Sequence, residues 1–389
     1  MRIAILGCGY VANMYRLTLG MHPELVLVGV YDRERARSQT MARLTGVQSY
    51  PDLKALLADE SVETVLNLTN PSAHFETTKA LLEAGKHVYS EKPLAMRFDQ
   101  ARELAQLAKD RGLHLVSAPC TLLNPVAQTL WKAAREGAAG PIRLVHAEME
   151  DGMVSRAPTS KWINEAGMAW PALDEFQTGC TVEHAGYVLT WLCAMFGPAV
   201  SVTAHSEILL PDKIDGVELL PAPDYSVAVI RFASGTVARM TNGLYAEHDH
   251  GLRLFGDEGV LHVEDPRSDT SPIRLRRYKT LRRRRFLSPL AKKLRKLGAA
   301  EKITGYRGSQ TRDFCRAIAD MGAAIKAGRA PYTGGDFALH ITELTLACHF
   351  ACHDTAGTGG DAAGFGGALT MPYTPQTTFD PMEPLSWAK

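Results

Sequence analysis

The first candidate for chemistry is a glycine-rich turn, Gly7-x-Gly9-x-x-Ala12, which directly follows a short apolar run. In such a turn Gly7 permits the tight bend, Gly9 lets the backbone approach a pyrophosphate, and Ala12 allows close packing of a helix on a strand. The N–H groups that open the following helix, at Tyr10-Val11, remain free to bind an anion. The alternative is a tight turn without a ligand, but the context favours a dinucleotide phosphate site.

Asp32 and the arginines after it bear on which dinucleotide would bind. Asp32 ends the second apolar run, where its carboxylate can accept hydrogen bonds from the adenosine ribose hydroxyls. Arg33, Arg35 and Arg37 follow at once, and a guanidinium there could hold the 2′-phosphate of NADP. The sequence therefore favours NAD and leaves NADP open.

A second group of polar residues follows the third and fourth apolar runs. Asn70-Pro71 and His74 come after the third run, and Glu91-Lys92-Pro93 comes after the fourth. A lysine beside apolar walls and a cationic nicotinamide can have a lowered pKa, which suits proton transfer or polarisation of a substrate hydroxyl. The alternative for Glu91 and Lys92 is a solvated ion pair in a loop.

The elements that would position these residues alternate between strand and helix. Short apolar runs separated by helical stretches are typical of parallel βαβ units. They predict an α/β fold with a doubly wound parallel sheet, whose ligand binds at the carboxyl ends of the strands. The predicted strands are 3–6, 25–31, 64–68, 87–89 and 113–117, and the predicted helices include 36–44, 73–83 and 98–109.

The ordered set of Gly7-x-Gly9-x-x-Ala12, Asn70-Pro71 with His74, and Glu91-Lys92-Pro93 resembles the glucose–fructose oxidoreductase/inositol dehydrogenase/MocA family over residues 1–350. The resemblance implies an N-terminal Rossmann domain that binds NAD(H) or NADP(H) tightly, with sugars, cyclitols or their derivatives as substrates. It also implies a C-terminal α+β domain whose open, mostly antiparallel sheet often forms the interface of a homo-oligomer, a dimer or a tetramer. Lys92 matches the lysine that is catalytic or orients the substrate.

The remaining sequence predicts a second domain with an antiparallel sheet. Hairpin chemistry at 233–235 and 256–259 joins successive β-rich segments, and a helical pattern over 309–327 ends at Gly328 and Pro331. We expect a Rossmann domain over 1–121, an α+β substrate domain over 122–350 and a Gly/Pro-rich tail over 351–389 that docks on the body or a partner, or stays mobile. The predicted strands of the second domain are 142–149, 200–208, 225–232, 236–242, 252–255 and 260–263.

The segment from Gly179 to Leu192 departs from the family pattern at its acid/base. The family usually has an Asp followed four residues later by a His that accepts the proton; here Glu183 and Tyr187 stand at those positions. Tyr187 could serve as the acid/base if Lys92 lowers its pKa. His184 is the alternative, but it is turned about 100° from Glu183 on a helix, whereas residues four apart share a face.

Two further residues are candidate substrate contacts, and one cluster raises the question of a metal. Asn124 precedes a proline at a predicted helix start, and His250 follows a strand in a region that borders the substrate pocket in the family. Cys348-His349 and Cys352-His353 recur at a helical spacing but fall short of four ligands on one face, so we predict no metal.

The charge of the chain is distributed unevenly. Lys and Arg number 43 against 42 Asp and Glu, but twelve of the cations lie within 274–296, where there is no acid. The rest of the chain then carries −11, which excludes a uniformly basic nucleic-acid-binding protein. The family that the sequence resembles has a shorter strand connection here, which implies that 274–298 is an insertion. Within it, Ser288-Pro289 and Gly298 predict the start and end of a short amphipathic helix. The insertion is a solvated loop or contacts anionic lipid or glycan; nucleic acid fits less well, because few aromatic residues are interleaved.

The ordered motifs and the family that they resemble imply an NAD(P)-dependent oxidoreductase acting on a carbohydrate-like secondary alcohol. Lys92 and Tyr187 would handle the proton, Glu183 would orient and His184 would assist. Two alternatives remain: a redox-assisted epimerase or glycosidase with retained NAD, and a non-catalytic NAD(P)-binding regulatory protein. Without a long apolar span, a signal-peptide pattern or a disulfide pattern, we expect a cytoplasmic protein.

Overall fold

The computed structural model describes residues 1–298, 312–351 and 372–389. Its N-terminal part is a parallel sheet of six short strands, as predicted. The strands are β1 (Arg2–Leu6), β2 (Val26–Tyr31), β3 (Gln48–Ser49), β4 (Thr64–Asn67), β5 (His87–Ser90) and β6 (Leu115–Ser117). Their order is β3-β2-β1-β4-β5-β6, and only β3, two residues long, had no signal in the sequence.

Helices flank this sheet because their apolar residues recur at helical spacing. In the fifth helix Phe98, Ala101, Leu104 and Ala108 are all buried. The sixth helix begins at Pro125, and the side chain of Asn124 caps it by accepting a hydrogen bond from the N–H of Ala127 at 2.7 Å. The helices are α1 (Tyr10–Leu19), α2 (Arg35–Thr45), α3 (Leu53–Ala58), α4 (His74–Glu83), α5 (Phe98–Asp110) and α6 (Pro125–Arg135).

The second sheet is mixed and mostly antiparallel. It contains β7 (Ile142–Glu150), β8 (Ala199–Glu207), β9 (Tyr225–Phe232), β10 (Val237–Gly243), β11 (Leu252–Gly256), β12 (Gly259–Val263), β13 (Ile273–Leu281), β14 (Arg284–Leu287) and β15 (Lys292–Lys293). The order is β14-β13-β12-β11-β7-β10-β9-β8, with β15 beside β13. Strands β7 and β10 are parallel, while the other pairs are antiparallel, and the two predicted hairpins are present.

One face of this sheet packs on helices. Val145, Ala147 and Met149 of β7 point into the core, whereas Leu144 lies on the opposite face and is exposed. The helices of this part are α7 (Ala172–Thr178), α8 (Cys180–Phe196), α9 (Arg316–Ala327) and α10 (Gly335–His349), of which α8 and α10 pack on the sheet. None of the described helices is long and apolar enough to cross a membrane.

The predicted basic helix between Ser288 and Gly298 is wrong. Residues 273–287 form a hairpin of β13 and β14 that turns at Arg282, whose φ is +55°, and residues 288–298 then return along β13, with which Lys292 and Lys293 pair as β15. The alternation of buried and more exposed side chains along β13 explains this outcome. Ile273 and Leu275 are buried beside β12, so this segment extends the sheet by one strand. The leucines whose spacing suggested a helix lie in this returning segment, where the N–H of Leu294 donates a hydrogen bond to the carbonyl of Ile273.

The described end of the chain docks on the body. Tyr373 pairs with Val202 of β8 through two backbone hydrogen bonds of 2.8 and 2.9 Å. The fully buried carboxylate of Glu343 on α10 accepts hydrogen bonds from the Tyr373 hydroxyl and from the N–H groups of Gln376 and Thr377. Three parts of the sequence-based prediction lie outside the described residues: the Gly/Ala-rich stretch 356–367, Cys352-His353, and the start of the helix predicted from 309.

Glu343→Gln should weaken the docking of this final segment. The amide keeps one acceptor oxygen, so a backbone N–H of Gln376 or Thr377 loses its charged partner, which costs about 1.5–3 kcal/mol. Urea unfolding should show a lower midpoint for this variant. Glu60→Gln, at an exposed carboxylate, is the control and should unfold like the wild type. Equal midpoints for all three proteins would contradict the role of Glu343.

Candidate active site

A cleft of about 1220 Å³ lies between the carboxyl ends of the parallel strands and the α7–α8 region. The two helices share one boundary residue, Gly179, whose φ is +86° and whose position leaves no room for a side chain, since a Cβ there would lie 2.9 Å from the carbonyl oxygen of Pro223. Several predicted residues line the cleft: Gly9, Tyr10, Val11, Asn70, Pro71, His74, Glu91, Lys92, Glu183, His184 and Tyr187.

The glycine-rich turn has the geometry that anion binding requires. Gly7 has φ +94°, and a Cβ there would lie 2.6 Å from the carbonyl carbon of Leu68, so only glycine fits. A Cβ at Gly9 would meet nothing within 4 Å, which leaves the space beside the turn open to a ligand. No side chain caps α1, so the N–H groups of its first turn are available to a phosphate, while Ala12 is buried against the sheet.

The residues predicted to select between NAD and NADP differ in how close they lie to the cleft. Asp32 is buried next to the turn, and its carboxylate oxygens accept hydrogen bonds from the N–H groups of Cys8 and Glu34, both at 2.7 Å. Arg33 is exposed and does not line the cleft. Arg37 does line it, and pairs with Glu34 at 3.0 Å. The arginine that the fold brings to the cleft is therefore Arg37, not Arg33.

His74 ties together two loops at the strand ends. Its Nδ1 lies 2.6 Å from the carbonyl oxygen of Pro93 and its Nε2 lies 2.9 Å from that of Thr69. Burial lowers the pKa of His74, so the imidazole is neutral. His74 thus fixes the position of the Glu91-Lys92-Pro93 turn relative to the loop after β4. Asn70, in that loop, shares a hydrogen bond with Asp174 of α7 across the cleft.

Lys92 forms an ion pair with Glu183 across the cleft, and not with Glu91. Glu91 instead accepts a hydrogen bond of 2.5 Å from the Tyr15 hydroxyl, so the solvated Glu91–Lys92 pair is not formed. Burial alone would lower the pKa of Lys92, but the charge of Glu183 outweighs it and raises that pKa above its usual range. The lowered pKa considered from the sequence does not fit this environment, and Lys92 is an ammonium cation.

A second carboxyl group backs this ion pair and was missed in the sequence. Glu175 on α7 shares a hydrogen bond with Glu183. Burial, and then the nearby charge of Glu183, raise the pKa of Glu175 well above its usual range. Of these two carboxyl groups, Glu175 is therefore the one whose neutral form the site favours, beside the ion pair of Glu183 with Lys92.

His184 faces a carboxylate that sequence reasoning also missed. Its Nε2 lies 2.7 Å from Oδ2 of Asp151, the residue directly after β7, while its Nδ1 is buried without a partner among the described residues. Burial would raise the pKa of Asp151, but hydrogen bonds from His184 and His250 hold it well below its usual range. Arg267 adds to this effect, with its Nη1 3.3 Å from Oδ1 of Asp151.

Tyr187 lies against two arginines, of which neither had a signal in the sequence. The guanidinium carbon of Arg312 is 4.7 Å from the centre of the Tyr187 ring and that of Arg267 is 6.0 Å away. Arg312 also donates a hydrogen bond to the Tyr187 hydroxyl. Glu183 and Tyr187, four residues apart, both face the cleft as helical spacing predicts, and His184 reaches it at the side where Asp151 lies.

The two expected substrate contacts outside α8 do not reach the cleft. The Asn124 side chain is fully buried and is used as the cap of α6. His250 is buried behind Asp151, with Nε2 2.7 Å from the Asp151 carboxylate and Nδ1 2.8 Å from Nη2 of Arg267. Its neighbour His248 lines the cleft instead. Both placements correct the sequence-based assignment, because each side chain is already used to hold another element.

Asp151, His248 and His250 offer ligand atoms that all lie within 4.8 Å of one another, which is the spacing of a metal site. The guanidinium of Arg267 already contacts two of them, so the group has a cation of its own. The buried Cys348-His349 pair belongs to no such group among the described residues.

Comparison with known families assigns both parts of the chain. Residues 1–118 match the oxidoreductase family with an NAD-binding Rossmann fold, Gfo/Idh/MocA, and residues 127–262 match the Gfo/Idh/MocA C-terminal domain. The chain belongs to this family. An uncharacterised oxidoreductase of Synechocystis sp. is 27% identical over 67% of this chain and 70% of its own. Myo-inositol 2-dehydrogenase of Thermotoga maritima is 24% identical over 69% of this chain and 77% of its own.

Solved structures share the fold over nearly the whole chain. Levoglucosan dehydrogenase, in complex with NADH and levoglucosan, has a TM-score of 0.71 at 18% identity, covering 89% of this chain and 95% of that one. A tyrosine-to-phenylalanine variant of KijD10, a 3-ketoreductase from Actinomadura kijaniata in complex with NADP, has a TM-score of 0.70 at 20% identity, covering 90% and 98%. The N-terminal domain is thus an NAD-binding Rossmann domain, and neighbours in fold hold NADH or NADP.

The two glycines of the turn should respond differently to alanine. Gly7→Ala forces a Cβ against the Leu68 carbonyl in a left-handed backbone, so we expect the free energy of unfolding to fall by about 2 kcal/mol or more. Gly9→Ala should change stability by less than about 1 kcal/mol, but its methyl group enters the ligand space and should weaken NADH binding by about tenfold or more. Urea unfolding and fluorescence titration with NADH measure the two effects. Wild-type NADH affinity in Gly9→Ala would contradict this site.

Proposed function

We propose that the protein is an NAD(P)-dependent oxidoreductase that moves a hydride between a secondary alcohol of a sugar, cyclitol or glycoside and the nicotinamide. The observation that carries this proposal is the meeting of Lys92, Glu183 and Tyr187 in the same cleft as the glycine-rich turn. The buried carboxylate of Asp32 beside that turn favours NAD, and Arg37 leaves NADP acceptable.

The ion pair assigns Lys92 an electrostatic role. Because Lys92 stays protonated beside Glu183, its ammonium group is a donor to the hydroxyl or carbonyl oxygen of the substrate and stabilises negative charge there. Glu183 orients the ammonium, and Glu175, whose pKa burial raises, hydrogen-bonds to Glu183 from behind. NAD(P) supplies the hydride acceptor or donor.

Tyr187 is the group we assign to proton transfer. In the reducing direction its hydroxyl gives a proton to the substrate carbonyl oxygen, and in the oxidising direction the phenolate takes the proton of the alcohol. Arg312 donates a hydrogen bond to the phenol oxygen and stabilises negative charge on it once the proton has left. His184, hydrogen-bonded to Asp151, is the alternative proton acceptor on the same helix.

The named relatives agree with this chemistry. Their substrates or activities include myo-inositol, levoglucosan and a 3-keto group, and the 3-ketoreductase was studied as a tyrosine variant. Two other functions remain testable: an epimerase or glycosidase that keeps its NAD would convert substrate without net NADH, and a regulatory protein would bind NAD and sugar without turnover.

Tyr187→Phe should lower kcat by about 10²–10⁴-fold while leaving NADH affinity unchanged, because it removes the transferable proton and no cofactor contact. Lys92→Met should lower kcat/KM by a similar factor, whereas Lys92→Arg should recover part of it because the cation remains. NADH absorbance with product analysis over a panel of sugars and cyclitols measures both.

Tyr278→Phe, on β13 outside the cleft, is the matched control and should retain wild-type turnover. Full turnover in Tyr187→Phe would move the acid/base to His184, which His184→Gln then tests. Product formed without NADH would favour the epimerase or glycosidase, and binding without product would favour the regulatory protein.

We also propose that the chain forms a homo-oligomer and that the β13–β14 hairpin contacts an anionic lipid surface. The pairs Lys279–Phe286 and Leu281–Arg284 share one face of the hairpin, because directly opposite residues point the same way. Leu281 is 66% exposed, and among the described residues no carboxylate pairs with Lys279 or Arg284. Exposed apolar groups interleaved with cations suit the interface of an anionic membrane.

Reversing the two charges with Lys279→Glu/Arg284→Glu should weaken binding to phosphatidylglycerol vesicles by about 30-fold or more, since each cation near an anionic surface contributes about 1 kcal/mol. Cosedimentation at low salt measures it. Substitutions are used here because deleting 274–296 would remove β13 from the sheet. Lys54→Glu/Lys326→Glu, two exposed lysines elsewhere, should bind like the wild type. If the wild type sediments equally with phosphatidylglycerol and phosphatidylcholine vesicles, the hairpin is a solvated element and the lipid contact is wrong.

A further inference from the structure

The cleft has two walls of different chemistry. One wall is made by the strand ends of the Rossmann sheet, which carry the glycine-rich turn and the loops with Asn70 and Glu91. The facing wall is built by two long connections, one between β7 and α8 and the other between β8 and β9, and by Leu244 after β10. It begins beside the turn, because the side-chain amide of Asn164 donates a hydrogen bond of 2.9 Å to the Tyr10 carbonyl oxygen.

The wall opposite the cofactor side is apolar and aromatic. Phe176 and Leu244 are buried in a small cluster of their own, apart from the main cores, and Trp170 and Ile214 pack on it partly buried. The Trp170 ring centre lies 5.7 Å from that of Phe176 and 5.1 Å from that of Trp162, both edge to face. All five of these residues line the cleft.

Apolar side chains also stay exposed at the open side of this wall. Leu173 on α7 is 46% exposed and Val217 in the β8–β9 connection is 42% exposed, and both line the cleft. The two connections are joined at the surface by an ion pair of 3.2 Å between Arg156 and Asp212. An apolar strip inside a substrate cleft is typical of a ligand site.

The charges around the strip indicate what kind of group fits it. Four cations line the cleft, but Lys92 is paired with Glu183, Arg267 with Asp151, Arg37 with Glu34, and Arg312 is bonded to Tyr187. The titratable groups on α7 beside the strip are both carboxyl groups, Asp174 and Glu175. Three of the four cations are therefore already paired with carboxylates, and an uncharged apolar group on the strip needs no charged partner.

The strip is continuous with the chemistry. Phe176 of the apolar cluster directly follows Glu175, which is hydrogen-bonded to Glu183 opposite Lys92. A molecule reaching from Lys92 to Trp170 therefore spans a polar end, where a sugar hydroxyl is oxidised or a ketone reduced, and an apolar end.

We propose that the substrate is a glycoside with an uncharged apolar or aromatic aglycone, whose sugar ring lies at Lys92 and Tyr187 and whose aglycone packs on Trp170, Leu173 and Val217. The inference rests on the proposed function for the position of the sugar ring, and adds to it the aglycone site. Free sugars leave the strip uncovered, and tighter binding of a nucleotide sugar is an outcome that the test below distinguishes.

The test compares binding of methyl, hexyl and phenyl β-D-glucosides and UDP-glucose to the NAD-loaded enzyme, by calorimetry. We expect hexyl and phenyl glucosides to bind about tenfold or more tightly than methyl glucoside, because only they bury the strip. Equal affinities, tighter binding of UDP-glucose, or no binding of any glucoside would overturn the proposal.

The variant Leu173→Ser/Val217→Ser should abolish the preference for the apolar glycosides while leaving methyl glucoside affinity unchanged. Leu290→Ser is the control, since Leu290 is exposed in the basic segment far from the cleft residues in sequence, and it should keep the wild-type preference. Retained preference in the double variant would also overturn the proposal. The calorimetry measures binding and does not depend on turnover. If the glycosides bind as expected but no NADH forms, the proposed oxidoreductase activity is wrong while the aglycone site stands.

Discussion

The ion pair between Lys92 and Glu183 is the interaction on which the candidate site depends, because it joins the two halves of the molecule across the cleft. Lys92 comes from the turn after the fifth parallel strand, and Glu183 comes from the first turn of the helix that packs on the second sheet. A buried cation needs a partner in such a place, and here the partner also aims it. Glu175, whose pKa is raised, hydrogen-bonds to Glu183 on one side, and His74 holds the loop of Lys92 on the other.

Local patterns in the sequence were sufficient for most of the fold and for one side of the site. The glycine-rich turn, the strand ends and Lys92 could be predicted because each depends on short-range rules: backbone room at Gly7, apolar runs for parallel strands, and loops at strand ends. The helical spacing of Glu183 and Tyr187 likewise placed both on the cleft face of one helix.

Contacts between distant segments were beyond such rules. Asp151, Arg267 and Arg312 reach the cleft from three separate regions, and nothing in their neighbours marks them. Asn124 was misassigned because a helix cap and a substrate contact call for the same residue type. The basic segment was misassigned because its leucines follow helical spacing, while the free edge beside β12 favoured a strand.

Gly179 gives the molecule a constraint on how its specificity can change over evolution. The residue ends the helix that carries Glu175 and Leu173 and begins the helix that carries Glu183 and Tyr187, with no room for a side chain. Any shift of the first helix to admit a different substrate is therefore transmitted to the second. The connection that carries Val217 meets the same junction, because the N–H of Cys180 donates a hydrogen bond of 2.9 Å to the carbonyl of Pro223. The positions of Leu173, Val217 and Tyr187 are therefore coupled through one point of the chain.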